Sequence, residues 1–308
     1  MIYDKYGFKV PPEKIIRVIT NTDAKNEGDD QFAIVHTMLS PKFDNVGYIG
    51  AHFGTKRGNT MEQSCDEIAK IFDLMGFDKK DMIFKGAPHP LEDEETPVDS
   101  EGARLIIREA MKDDESPLYV TFMGPLTDLA SAYLLEPRIA GRLTAIWIGG
   151  GTYPGGRQEF NQDNDINAVN VVMKSEIDLW QVPKNIYEYM PVSFAELDLK
   201  VRPCGKIGEY LCNQLMDETA FTPSARRSDF RTGESWVLGD SPVVGLMLYE
   251  HRFFFDMIPA PLVDKETSLY IHTGKYRPVR VYNYLDARLI LEDFYCKLAL
   301  FAKNNPDL

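Results

Sequence analysis

Residues 20–34 read TNTDAKNEGDDQFAI and set Asp23, Glu27, Asp29 and Asp30 in one short polar stretch. Carboxylates crowded this closely repel one another, and two arrangements relieve the repulsion. One is a solvated loop ending in a helix N-terminus, where the helix dipole and the free N–H groups favour anions. The other is a divalent cation bound among the carboxylates, and all-oxygen donors favour Ca²⁺ or Mg²⁺ over zinc or copper. An EF-hand is excluded. Counting from Asp23, the third position is Lys25 and the twelfth is Ile34, where that loop requires a bidentate Glu. A cation here must draw further ligands from elsewhere in the fold.

Other residues with suitable chemistry lie far along the chain. Glu159 and Asn161 flank Phe160 in a Gly/Pro-rich stretch. If that stretch is extended, alternate side chains project to one side, and an acceptor beside an amide suits sugar hydroxyls; the alternative is ordinary surface polarity. Asp240 precedes Ser241-Pro242 and an apolar run, so it is either a helix N-terminal anion or a ligand. Gly149-Gly150-Gly151 permits a tight turn or close approach of a ligand. Pro125 leaves the Met123 carbonyl free to ligate a cation or stay solvated. His52 is a candidate proton donor, and Trp236 is a candidate wall for a stacked base or a core residue. His36 and His251 read as structural.

The elements that must position these residues follow from periodicity. Apolar runs at 15–20, 46–51, 118–123 and 143–148 read as strands. Helical spacing marks 29–39, 61–75 and 126–135, and another helix begins near 168. Strands alternating with helices predict an α/β protein with a mostly parallel central sheet. In such sheets ligands bind beyond the carboxyl ends of strands, which would gather these distant residues into one site.

Composition sets the outer limits. The chain has 308 residues, 44% of them hydrophobic, and 34 basic against 47 acidic residues give a net charge of −13. That charge excludes nucleic acid polymers as partners. No apolar run has the length of a signal peptide core or a membrane span. Cys65, Cys204, Cys212 and Cys296 match no zinc or redox spacing and suit a reducing, cytoplasmic setting. A dinucleotide-binding Rossmann protein needs a Gly-x-Gly-x-x-Gly turn after its first strand. Carboxylates stand there instead and would repel a pyrophosphate.

The order of these motifs resembles the inosine–uridine-preferring nucleoside hydrolases. Asp23…Asp29-Asp30 is similar to the family's Asp-Pro-Gly-x-Asp-Asp loop, though longer, and Asn21 stands where the family has a further Asp. Gly86-Ala87-Pro88-His89-Pro90-Leu91 is similar to its Gly-x-x-x-Pro-Leu. The run Gly124-Pro125-Leu126-Thr127-Asp128-Leu129-Ala130 is similar to its Gly-Pro-Leu-Thr-Asn-Leu-Ala. Ile148-Gly149-Gly150-Gly151, then Glu159-Phe160-Asn161 with Asp165 and Ala168, and Gly239-Asp240 continue the series, spanning roughly residues 15–300. Gly239 replaces the His that many members place before the late aspartate to protonate the leaving base.

The resemblance implies one nucleoside hydrolase-like domain over residues 1–308, with a mostly parallel sheet flanked by helices. It implies Ca²⁺ held by Asp23, Asp30, the Met123 carbonyl and Asp240, with Asp23 as general base. It implies Asp29 and Asn161 at the ribose 2′-hydroxyl, Asp30 and Asp240 at the 3′-hydroxyl, and Glu159 at the 5′ end. The reaction would be hydrolysis of the N-glycosidic bond of a small riboside by a homodimer or homotetramer. With Gly239 in place of the His, His52 is the candidate substitute acid. A calcium-stabilised ribose- or nucleoside-binding protein with little or no turnover is the alternative.

Overall fold

The computed structural model describes residues 6–221, 233–249 and 253–308; His251 lies outside them. Short apolar runs rich in Ile and Val form the strands β1 (Ile16–Thr22), β2 (Phe43–Gly50), β3 (Ile83–Lys85), β4 (Leu118–Met123), β5 (Thr144–Ile148) and β6 (Asp178–Val182). The helices between them are α1 (Asp30–Met38), α2 (Thr60–Leu74), α3 (Glu101–Ala110), α4 (Thr127–Leu135), α5 (Phe160–Asn164) and α6 (Ile166–Lys174). After β6 come α7 (Lys184–Tyr187), β7 (Pro191–Ser193), α8 (Phe194–Lys200), α9 (Gly205–Phe221), β8 (Ser235–Val237) and α10 (Pro242–Leu248). The chain ends with β9 (Phe254–Pro259), β10 (Leu262–Val263), β11 (Tyr270–Ile271), β12 (Pro278–Tyr284) and α11 (Ala287–Asn304).

Eight strands form one sheet in the order β3-β2-β1-β4-β5-β6-β12-β9. Only the pairing of β9 with β12 is antiparallel. The predicted α/β architecture is therefore the observed one. Strand β1 is buried along its whole length, as expected for a central parallel strand covered on both faces. Its side chains divide between two cores: Ile16 and Val18 join one, Ile19 the other. The first core is closed by α1, α2, α9, α10 and α11, the second by α3, α4 and α6.

Helix boundaries agree with the periodicity to within a few residues, but α1 departs from it in kind. Its spacing suggests one apolar face, yet all nine residues are buried. A helix covered on every side has to find partners for its polar groups. His36 Nε2 meets Asp293 Oδ2 at 2.7 Å, and Lys297 Nζ reaches the same oxygen at 2.5 Å and Ser40 Oγ at 3.0 Å. Burial pushes the His36 pKa down to about 4. Between that value and the ordinary one near 6.5, the unfolded chain binds the extra proton, so stability rises with pH in this window. Lowering the pH from 7 to 5 is expected to cost about 2 kcal/mol through this residue. Urea melts of His36→Gln should show correspondingly less acid destabilisation than wild type; equal slopes would remove His36 from the account.

No helix among the described residues is long and apolar enough to cross a membrane.

Candidate active site

The strand order reverses at β1, whose neighbours are β2 and β4. A crevice opens at such a switch point, beyond the carboxyl ends of the strands. Here it is a cavity of about 130 Å³ lined by Asp23, just after β1, and by Met123 and Ile148, the last residues of β4 and β5. Of the other predicted residues, Asp29, Asp30, Asp240, Glu159 and Asn161 also line it.

Local sequence explains the convergence. Asp23 directly follows β1, and its N–H donates to the Met123 carbonyl at 3.3 Å, which ties the ends of β1 and β4 together. Thr22 Oγ1 donates a short hydrogen bond to Asp30 Oδ1. The intervening loop is pinned from outside: Gln31 Nε2 donates to the Ala24 carbonyl at 2.6 Å, and Gln214 Nε2 of α9 to the Gly28 carbonyl at 2.7 Å. A Cβ on Gly28 would lie 2.8 Å from Leu215 Cδ1, so glycine lets the loop dock. The Asp240 N–H donates to Asp29 Oδ2 at 3.2 Å, joining the late aspartate to the early loop.

The electrostatics are strongly unfavourable for so many free carboxylates. Carboxylate oxygens of Asp29, Asp30 and Asp240 lie within 4.8 Å of one another, and all three residues are buried. Burial raises the Asp23 pKa well above its usual value, and the charges of Asp30, Glu27, Asp29 and Glu159 raise it further. Burial and the Asp29 charge raise Asp30, and burial with the charges of Asp29, Asp30 and Asp23 raises Asp240. Asp29 rises only to about 6, because backbone N–H groups oppose its burial. Asp23 Oδ2 is buried without a hydrogen-bond partner. An orphaned carboxylate oxygen among crowded acids and a backbone carbonyl form a donor set that fits a hard divalent cation.

The other sequence-derived residues fare differently. Glu159 and Asn161 do line the cavity, but not from an extended loop. Glu159 caps α5, and its carboxylate accepts from the N–H groups of Gly150 (2.8 Å), Gln162 (2.9 Å) and Asn161 (3.2 Å) and from the Tyr187 hydroxyl (3.0 Å). Gly150 has φ +88°, and a Cβ there would lie 2.1 Å from Gln181 Nε2, so the glycine turn delivers its N–H to Glu159. Asn161 Nδ2 donates to the Ile148 carbonyl at 2.9 Å.

His52 is not brought to the cavity. It is 1% exposed, its Nδ1 accepts from the Gly54 N–H at 3.2 Å, and its Nε2 pairs with Thr127 Oγ1 at 2.9 Å. Thr127 Oγ1 in turn donates to Asp165 Oδ2 at 2.7 Å. Burial holds the His52 pKa down to about 4, and the ring is a buried tie between loops rather than a substitute acid. Trp236, on β8, is 4% exposed within the first core and does not line the cavity. The stacking role is corrected to core packing.

Asn21 and Asp128 explain each other. Asn21 Nδ2 donates to Asp128 Oδ2 at 2.9 Å, and Asp128 Oδ1 accepts from the Ala87 N–H (2.9 Å) and Ser100 Oγ (2.6 Å). The amide and the carboxylate have changed places relative to the pattern the motifs resemble, and the charge moves from β1 to α4. Among residues the sequence reading did not assign to the site, Asn26, Glu27, Phe160, Lys184 and Tyr187 line the cavity. Lys184 and Tyr187 follow β6, whose carboxyl end borders the same crevice; recognising that strand would have pointed to them.

Parallel strands that deliver buried carboxylates to one cavity at their carboxyl ends suit a hydrolase that stabilises positive charge developing on a sugar, and comparison with known proteins gives the family. A family model described as inosine-uridine preferring nucleoside hydrolase matches residues 18–286. The chain belongs to that family and is a hydrolase acting on N-glycosyl bonds. A search of curated protein sequences gave no match. Among solved structures, the fold is similar to a purine-preferring ribonucleoside hydrolase from Gardnerella vaginalis. That similarity has a TM-score of 0.76 and 19% identity, over 94% of this chain and 99% of that one. A plant nucleoside hydrolase, PpNRh1, gives 0.74 and 17%, over 94% and 99%. The inosine-uridine preferring nucleoside hydrolase of Bacillus anthracis gives 0.67 and 16%, over 93% and 100%.

Proposed function

We propose that this protein hydrolyses ribonucleosides to free ribose and base in a Ca²⁺-dependent reaction. The observation that carries the reading is the enclosure of Asp23, Asp29, Asp30 and Asp240 in one cavity at the switch point of the sheet. Asp23, Asp30, the Met123 carbonyl and Asp240 would hold the ion. When bound, it supplies Lewis acidity and offsets the repulsion among the carboxylates.

The protein groups act as follows. Asp23 accepts the proton of the attacking water as general base, and its unpartnered Oδ2 is free to do so. Asp29 and Asn161 hold the 2′-hydroxyl, Asp30 and Asp240 the 3′-hydroxyl, and Glu159 faces the 5′ end. As the C1′–N bond lengthens, positive charge grows on the sugar. The surrounding carboxylates favour that charge because they are fixed in a water-poor site and need no reorganisation. The phosphate-free, neutral substrate also suits a cavity so rich in acid. We place the protein in the cytoplasm, where its four unpaired thiols are stable, as a homodimer or homotetramer.

Gly239 favours the second reading, a ribose- or nucleoside-binding protein with little turnover, because it leaves the leaving base without the family's His. Reducing-sugar assays on purified protein decide between the two. Steady release of ribose from a common ribonucleoside supports the enzyme; tight ribose binding with no release supports the binder. For the enzyme, 2′-deoxyribonucleosides are expected to react about 10⁴-fold more slowly in kcat/KM. A site built around a hydroxyl leaves buried groups unpaired when that hydroxyl is missing. Similar rates on both sugars would remove Asp29 and Asn161 from the 2′ position.

A further inference from the structure

Gly239 leaves room where a side chain would project, and another residue fills it. A Cβ at position 239 would lie 3.1 Å from Tyr187 Cδ2 and 3.4 Å from Asp29 Oδ2. The Tyr187 ring therefore stands where a residue just before Asp240 would begin. From there the side chain reaches Glu159, where its hydroxyl donates to Oε1 at 3.0 Å. The ring thus connects two walls of the cavity, Gly239 beside Asp29 and Asp240 on one side, Glu159 on the other. In a β-nucleoside the base and the 5′-carbon project from the same face of the furanose. With the 5′ end at Glu159 as proposed above, a residue that joins the Glu159 wall to the wall at 239 would lie over that face.

Resting on the hydrolase reading above, we propose that Tyr187 is the proton donor to the leaving base, delivered from the β6–α7 turn in place of a side chain at position 239. Among the described residues that line the cavity, the other non-carboxylate donors are the amides of Asn26 and Asn161 and the ammonium of Lys184. Amides do not give up a proton at neutral pH. The Lys184 side chain is 43% exposed and turned towards Glu188, 3.9 Å away. Burial and the neighbouring Glu159 charge raise the Tyr187 phenol well above the usual phenol range, so it stays protonated at neutral pH and gives its proton only to the strongly basic nitrogen that forms as the C1′–N bond breaks.

The step balances. The C1′–N bond breaks and its electron pair stays on the base. The Tyr187 O–H bond breaks and an N–H bond forms. Water adds its oxygen to C1′ and gives its proton to Asp23. The phenolate and protonated Asp23 return to their starting states through solvent, so the net change is the addition of one water.

The test compares wild type and Tyr187→Phe on substrates that differ only in their need for an acid. Inosine, adenosine, uridine and cytidine release bases that must be protonated on leaving. Nicotinamide riboside, a pyridinium riboside, releases a neutral base without a proton. The phenylalanine variant is expected to lose about 100-fold or more in kcat/KM on the nucleosides, and less than about 5-fold on the pyridinium riboside. Retained turnover of the latter also shows that the variant folds. Equal losses on both classes, or a leaving-group-dependent loss in Lys184→Met but not in Tyr187→Phe, would overturn the proposal. So would a wild type that cleaves only the pyridinium riboside, which would leave the hydrolase reading standing. A wild type that cleaves no riboside of either class would instead overturn the hydrolase reading and this proposal with it.

Discussion

Replacing Asp23 by Asn is expected to lower kcat by about 10³–10⁴-fold on any ribonucleoside the wild type cleaves, the range lost when a positioned general base is removed. The substitution keeps shape and volume but removes a buried charge whose Oδ2 has no hydrogen-bond partner. The neighbours Asp30, Glu27, Asp29 and Glu159 all disfavour that charge. The cation-free variant should therefore unfold at a temperature equal to or above that of cation-free wild type. Calorimetry alongside steady-state kinetics checks both parts. Near-normal turnover would refute the base assignment, whereas a large fall in melting temperature would make Asp23 a structural residue first.

Chelation is expected to have the second large effect. Without a cation, Asp29, Asp30 and Asp240 confront one another inside 4.8 Å. EDTA should abolish turnover, and Ca²⁺ added in excess should restore it. A ligand that binds only the native state at 100 times its Kd stabilises by about 2.7 kcal/mol, so the melting temperature should rise with Ca²⁺ concentration. Titration with Ca²⁺, Mg²⁺ and Zn²⁺ under the same conditions ranks the ions. Turnover unaffected by chelator, with no shift in melting, would remove the cation from the mechanism.

The central strands were legible because parallel strands buried on both faces are continuous apolar runs; 118–123 reappears residue for residue as β4. Strand β1 runs two residues past its apolar run because Asn21 and Thr22 find polar partners in Asp128 and Asp30. Those partners lie 107 and 8 residues away in sequence, and periodicity carries no information about the first. The acidic loop was legible as chemistry, since unpaired carboxylates at that density need an explanation. Its burial was not, because it depends on Gln31 and Gln214 anchoring the loop from two different helices.

Two candidate residues remained open between site and core for one physical reason. His52 and Trp236 have side chains that serve a site or a core equally well, and only burial separates the two. His52 spends both ring nitrogens on the Gly54 N–H and Thr127, while Trp236 packs inside the first core. Tyr187 was passed over for the converse reason. No acidic cluster or motif around it in sequence suggests catalysis, and the role proposed for it comes from the space beside Gly239, 52 positions later.

A crystal grown with Ca²⁺ and soaked with ribose, with the ion located by its anomalous signal, tests the central claim most directly. The expected result is one peak about 2.3–2.6 Å from oxygens of Asp30 and Asp240, with the furanose diol on the same ion and Asp23 beside the anomeric carbon. An ion held elsewhere, or a sugar bound outside the cavity lined by these aspartates, would contradict it.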